Sequence, residues 1–437
     1  MRKIRKIVII SLLISTLLLG CSQNKEVKND EKLIIGLVFG DTNNEEFQRR
    51  FVEPFLILHP NVDIKVVSAI TEDPATHNPN GPYQNVVNLL TGTEPVDLLF
   101  MDSSLYQILS QQNQLKELSP FINKDKFDIN SAKTSVIDYL KQLGNGNLYG
   151  LSPSFQTKAV FYNKMLFQKA NLEPPHDLMT WEQLFQKAEL LSLQLKEDNI
   201  YGISFDRYND SNYFNIINNY LSSLNVRMYD INQKKMTVAT DTWKESFQLI
   251  DSLFQKNITP IKSEGEDLFL NNKVGIIIEN YNYFNSLKKQ MPSNFDIVTY
   301  PIHTGSPHVG SEITFSNIIA INANANNTEV AWEYLKFIHS QKWAKSNKDI
   351  PSELFTFYNH KEDTVYNIDA FYKLQSSISA NYQMDLYNNF KIINDIRMII
   401  TEGNKQIESA RNKEKSITEA LNEWEGSGNE LLNRNTN

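Results

Sequence analysis

Leu33-Ile34-Ile35-Gly36-Leu37-Val38-Phe39 is an unbroken apolar run, and together with the next sixty residues it decides the fold class. A strand with one wet face alternates apolar and polar residues, whereas a run apolar at every position suits a strand covered on both faces, as in a parallel sheet flanked by helices. Gly40-Asp41-Thr42-Asn43-Asn44 breaks the run and offers capping side chains; Glu45 to Leu58 then sets Phe47, Phe51, Phe55 and Leu58 at helical spacing. Val62 to Val67 reads as a second strand, Asn85 to Leu90 as a helix, and Val96 to Met101 as a third strand ending at Asp102-Ser103-Ser104. Strand and helix in alternation imply right-handed crossovers and an α/β layer architecture. Ligands in such sheets gather beyond the carboxyl ends of the strands, where the loops at 41–44 and 102–104 fall.

A second block opens at Tyr149-Gly150-Leu151-Ser152-Pro153. Ala159 to Tyr162 is strand-like and Lys164 to Ala170 helical, and Thr180-Trp181-Glu182-Gln183 has the spacing of a capping box that starts a long helix. Apolar runs come next at Val274 to Ile278, Phe295 to Val298 and Ile318 to Ile321, then an amphipathic helix at Glu329 to His339. From Phe371 the pattern is helical to the end, with a break at Gly426-Ser427-Gly428 after Trp424. Trp181 and Trp332 lie on helices and are assigned to packing.

The amino end carries Arg2, Lys3, Arg5 and Lys6 before an apolar run from Ile7 to Leu19, the layout of a secretory leader and too short for a comfortable membrane span. Cys21, the single cysteine, excludes internal disulfides. Without the four leader cations the chain has 39 Lys+Arg against 51 Asp+Glu, a net of −12. That sign excludes nucleic acid as a partner, since phosphate backbones demand basic patches, and it keeps the protein off anionic lipid. Ser22 to Glu31 is polar and cannot bury enough surface to fold, so 21–31 reads as a flexible tether. The remaining ~400 residues exceed what one core serves, which favours two domains.

Leu18-Leu19-Gly20-Cys21 resembles the bacterial lipobox. The resemblance implies cleavage after residue 20 and diacylation of Cys21, and two acyl chains anchor firmly. Five further stretches, in order, resemble the extracellular solute-binding proteins of ABC importers, in the class that includes maltose-type sugar binders. They are Asp97-Leu98-Leu99-Phe100-Met101-Asp102 through Leu118; Leu148 to Pro153 with Phe161-Tyr162-Asn163-Lys164; Pro174-Pro175 with Thr180-Trp181-Glu182-Gln183-Leu184; Phe269 to Ile276; and Ala331-Trp332-Glu333-Tyr334-Leu335-Lys336-Phe337-Ile338. The chain departs from the family at Asn272 and near Asn280 and Asn113, where glycine is usual.

The resemblance implies a periplasmic-binding-protein-like fold of two α/β lobes, hinged about crossing strands, that shut on a ligand in the cleft between them. The first lobe is expected to span 32–150 with 301–339 and the second 151–300 with 340–437; crossings then fall near Gly150 to Pro153, near Tyr300-Pro301 and near His339 to Ser346. It implies a monomer that captures a carbohydrate, of oligosaccharide size, and delivers it to the permease subunits of an ABC transporter on the outer face of the bacterial cell membrane. No cofactor and no catalysis are implied.

A sugar cleft needs aromatic platforms for C–H faces and carboxylates or amides for hydroxyls. Candidates at strand ends and crossings are Phe39, Asp41, Asn43, Asp102, Phe155, Gln156, Tyr281, Tyr283, Glu312 and Phe315. Each aromatic can equally pack against a helix, and Asp41 and Asp102 can equally cap one. No Gly-x-Ser-x-Gly elbow or His-Glu-x-x-His occurs, and nothing marks a glycosidase carboxylate pair. His303, His308 and Glu312 form the one tight histidine cluster, a weak metal candidate. The other readings are a surface lipoprotein of this fold acting as sensor or adhesin, and a polysaccharide hydrolase.

Overall fold

A computed structural model describes residues 31–70, 82–207, 213–230, 233–261, 265–350, 352–358, 365–377 and 392–434. The leader and Cys21 lie outside the described residues, and Glu31, expected to end the tether, opens the first strand.

The opening apolar run lies in a five-stranded sheet whose order is Val62–Ile70, Glu31–Phe39, Leu98–Met101, Ile318–Ile321, Gly150–Leu151. The first three are parallel, with Ile35 opposite both Val66 and Leu98, and the last two join antiparallel. Leu33 and Ile35 are fully buried, as are Leu98 and Leu99. Burial on both faces explains the missing alternation. Fully buried Asp97 ties this sheet to a distant loop: its Oδ2 accepts from the Ile34 amide at 2.9 Å, and its Oδ1 from the Asn327 amide at 2.8 Å.

The helix expected from Glu45 to Leu58 is broken into Glu45–Phe47, a π-helical turn Gln48–Val52, and Glu53–Leu58. Pro54 has no N–H to return to the residue-50 carbonyl, so the ladder opens there. Left-handed backbone explains two departures from the family pattern: Asn113 has φ 55° and Asn272 φ 56°, a region asparagine tolerates almost as glycine does.

The second sheet runs Phe295–Val298, Lys158–Asn163, Val274–Asn280, Tyr201–Ser204. Alternation along its central strand divides two cores. Ala159 and Phe161 join Phe284, Phe295 and Phe371 on one side, while Val160 and Tyr162 join Trp181, Ile217 and Trp424 on the other. The helix Trp181–Gln194 starts with the expected capping box of Thr180 and Gln183. Trp181 and Trp332 are both buried.

Three chain segments pass between the sheets side by side. Ser154–Phe155 pairs with Leu354–Phe355, Gln156 bridges Thr314, and Val309 bridges Gln375. The chain leaves the first sheet after Leu151 and enters the second at Lys158, while its other two passages fall later than 300/301 and 339/340. Tyr300 still packs edge-on against Trp181 at 5.4 Å, and the chain enters the first sheet only at Ile318. Likewise Gln341–Ser346 is a helix on the first lobe, its Trp343 ring 5.5 Å from Phe51. The chain reaches the second lobe by Tyr366, whose ring stacks on Phe295 at 4.8 Å, with Phe371 following 6.0 Å from Phe161.

The tail also departs from expectation. Residues 372–377 are not helical, because Gln375 exchanges backbone hydrogen bonds of 2.9 Å with His308 and Gly310 as part of the third crossing. The helix Ile417–Asn433 continues straight through Gly426-Ser427-Gly428. Glycine costs a helix about 1 kcal/mol, yet a Cβ at Gly428 would stand 2.6 Å from the Met236 side chain, so close packing there requires it.

Candidate functional site

Where the crossing segments meet the second lobe lies a cavity of about 180 Å³, open to solvent. One wall is the crossing itself: Gln156, Thr157, Lys158, Ser311, Glu312 and Thr314. Gln156 and Thr314 exchange backbone hydrogen bonds of 2.8 and 2.9 Å, and Ser311 Oγ lies 2.6 Å from Thr157 Oγ1 and accepts from the Lys158 amide at 3.0 Å. The lining continues with Asn218, Asn219 and Ser222 on the helix Tyr213–Ser222, then Asn225, Val226 and Arg227. Ile216, Ile217, Tyr220 and Leu221 bury the other face of that helix, which turns the two amides outward.

Asn280, at the end of its strand, and Tyr300 complete the lining. Asn280 Oδ1 accepts from the Tyr283 amide at 3.2 Å and caps the next helix. Burial pushes the Tyr300 phenol above its usual range, so it stays neutral. Beside the cavity, the Glu279 carboxyl is pushed up by burial, opposed by hydrogen bonds from the Asn280 and Arg207 amides at 2.9 Å each. An amide both donates and accepts, so this lining can meet several hydroxyls of one ligand in either sense.

The model of the family described as bacterial extracellular solute-binding protein matches residues 41–345, more than half of the chain. The chain belongs to this family. A binding protein of Brucella abortus is 24% identical over 243 residues, 53% of this chain and 56% of that one. The arabinooligosaccharide-binding protein of Bacillus subtilis is 25% identical over 183 residues, 41% of this chain and 39% of that one. The chain thus spans about half the length, or less, of these curated relatives. Among solved structures, a Listeria monocytogenes ABC substrate-binding protein in complex with cycloalternan superposes with a TM-score of 0.56 at 18% identity, covering 92% of this chain and 99% of that one. The fold is that of the two-lobed solute-binding proteins. No helix among the described residues is long and apolar enough to cross a membrane.

In this solute-binding protein, two of the ten candidate ligand residues, Gln156 and Glu312, line the cavity. Phe155 is fully buried, opposite Leu354 and edge-on to Tyr372. Tyr283 is 4% exposed, and its hydroxyl donates to Asp267 Oδ1 at 2.8 Å. Phe315 is buried against Tyr139, and half-buried Tyr281 stacks on Phe284 at 5.4 Å. These four rings pack, because aromatic faces gain more from the adjoining core than from an open cleft.

Asp102 is an N-cap, its Oδ1 accepting from the Ser104 and Leu105 amides at 2.9 Å. Asp41 caps no helix: its Oδ1 accepts from the Asn43 amide, and Asn44 caps instead. Phe39, Asp41 and Asn43 are exposed on the first lobe's strand end. His303 Nε2 lies 2.8 Å from the Tyr220 carbonyl oxygen, and among the described residues no three metal-ligating side chains converge, those of His303, His308 and Glu312 included. Sequence reading missed the Asn218-Asn219 wall; the one signal was a pair of poor helix formers on the face opposite the apolar stripe.

Proposed function

We propose that this protein is an extracytoplasmic receptor that captures an oligosaccharide at the crossing cavity, closes its two lobes on it and hands it to the permease of an ABC importer, without turning it over. The observation that carries this reading is the amide- and hydroxyl-rich cavity built directly on the Gln156–Thr314 crossing, where a ligand feels any movement of one lobe against the other. Support comes from the family and from two similar proteins that are named for, or hold, oligosaccharides. The cavity is smaller than the ~300–1,000 Å³ of ordinary ligand sites. It takes one end of the chain, with Phe39, Asp41 and Asn43 as the facing surface on closure. Acyl chains on Cys21 moor the protein to the outer face of the cell membrane.

A ligand that binds only the folded form adds RT ln(1 + [L]/Kd), about 2.7 kcal/mol at a hundredfold excess over Kd. A thermal-shift screen of the mature protein across oligosaccharides should therefore yield a clear rise, and the bound sugar should be recovered intact. Silence across the whole panel sinks the reading, and hydrolysis of the sugar favours the enzyme alternative. Phe39→Ala should weaken binding several-fold at unchanged melting temperature. Cys21→Ser should abolish labelling by radioactive palmitate; a labelled variant would refute the anchor.

A further inference from the structure

The cavity is cationic in a protein that is acidic as a whole. Lys158 on the crossing and Arg227 beyond the helix Tyr213–Ser222 line the same space, against the single lining carboxylate of Glu312. Among the described residues, neither side chain makes a hydrogen bond or ion pair: the contacts of Lys158 run through its backbone, to Ser311, and Arg227 uses only its carbonyl, which accepts from Thr237 Oγ1 at 2.8 Å. Glu279 lies within electrostatic reach of Lys158, but burial raises its carboxyl and two backbone amides already occupy it. Other cations are partnered in several ways: Lys373 pairs with Asp177 and Lys256 with Glu189, while Lys116 donates to the Ala323 carbonyl and Lys133 sits over the Tyr372 ring. Two cations without a direct counter-ion in the lining of one concavity form an electrostatic well. Neutral sugars need only the amides.

We propose, resting on the receptor reading above, that the ligand is an anionic oligosaccharide carrying uronic-acid carboxylates. Arg227 supplies a planar fork that matches a carboxylate bidentately, and Lys158 a mobile point charge from the crossing. Closing the lobes on such a ligand neutralises both cations at once. Glu312 meets hydroxyls and repels a carboxylate, so it sets which end of the chain enters. Arg227 and Lys158 are thus specificity-determining residues for charge, while the amides hold the rings.

The test is titration calorimetry on the full mature chain with oligogalacturonides and glucuronoxylan fragments, set against maltotriose and arabinotriose as neutral probes and a sulfated disaccharide as the non-carboxylate anion. The uronides should bind at least tenfold tighter than either neutral sugar, with affinity falling as salt is raised. Arg227→Gln should weaken uronide binding tenfold or more at unchanged melting temperature, and Lys158→Met by less. Neutral sugars bound as tightly as uronides overturn this inference and leave the receptor reading standing. Tighter binding of the sulfated sugar overturns the carboxylate assignment. Silence from every probe here and from the wider sugar panel overturns both readings.

Discussion

The indole Nε1–H of Trp343 donates to the backbone carbonyl of Arg50 across 2.8 Å. Pro54 makes that acceptor available, because an α-helix would have used the residue-54 amide to satisfy it. A break four residues upstream of a proline is thus repaired from the other end of the first lobe. Tyr334 docks on the next carbonyl of the same turn, its hydroxyl donating to Phe51 at 2.8 Å.

Trp343→Phe keeps most of the ring contact with Phe51 and Phe355 but removes the donor. An unsatisfied buried carbonyl costs about 1–3 kcal/mol. Urea unfolding should show a loss in that range, and a loss below about 0.5 kcal/mol would refute the repair.

Asp97 is the polar knot of the first sheet, holding the Ile34 amide and both the amide and side chain of Asn327, the last at 3.1 Å. Hydrogen bonds to a charged group contribute about 1.5–3 kcal/mol each. Asp97→Ala should therefore cost at least about 3 kcal/mol in guanidinium unfolding, and Asp97→Asn, which retains an acceptor oxygen, distinctly less. Equal losses would show that volume rather than acceptance matters.

Burial lowers the His339 imidazole to about 4, and its Nδ1 lies 2.7 Å from the Leu335 carbonyl, so that nitrogen carries the proton of the neutral ring. The unfolded chain takes up a proton near pH 6.5 and the native state only near 4. Stability is therefore whole above pH 6.5 and declines as pH falls through that window, by about 3 kcal/mol at most. His303 is lowered in the same sense, chiefly by burial, and adds to the loss. Melting curves from pH 7 to 4 should steepen this way, and His339→Phe should flatten them; an unchanged slope would refute the assignment.

Two glycines on neighbouring strands of the second sheet make a graded test. A Cβ on Gly202 would lie 2.1 Å from the Ala188 carbonyl oxygen, a backbone atom of the helix Trp181–Gln194, whereas one on Gly275 would meet Leu191 Cδ2, the end of a side chain. Overpacking typically costs about 1–3 kcal/mol. Gly202→Ala should reach or exceed the top of that range by circular dichroism melting. Gly275→Ala should cost less, since Leu191 can rotate. The reverse order would mean the strand moves more easily than the leucine.

Local spacing carried much of the fold. Continuous apolar runs marked the strands at Leu98, Val274 and Ile318, and the Thr180–Gln183 box marked a helix start, because burial on two faces and capping are properties of a few consecutive residues. The break in Glu45–Leu58 has a local sign in Pro54, but the donors that support its π-turn, Trp343 and Tyr334, lie almost 300 positions away. The glycine pair near Trp424 was misread, since Met236 gives Gly428 its purpose.

By itself, then, the sequence determined the α/β class, the family pattern and the acidic balance, all of which are sums or short-period patterns along the chain. Tertiary structure alone decided which aromatics are core, where the second and third crossings run, and that Gln156, Asn219, Arg227 and Glu312 share one cavity. Those residues meet because Gln156 pairs with Thr314 across 158 positions, and a pairing at that separation leaves no periodic trace in either partner's neighbours.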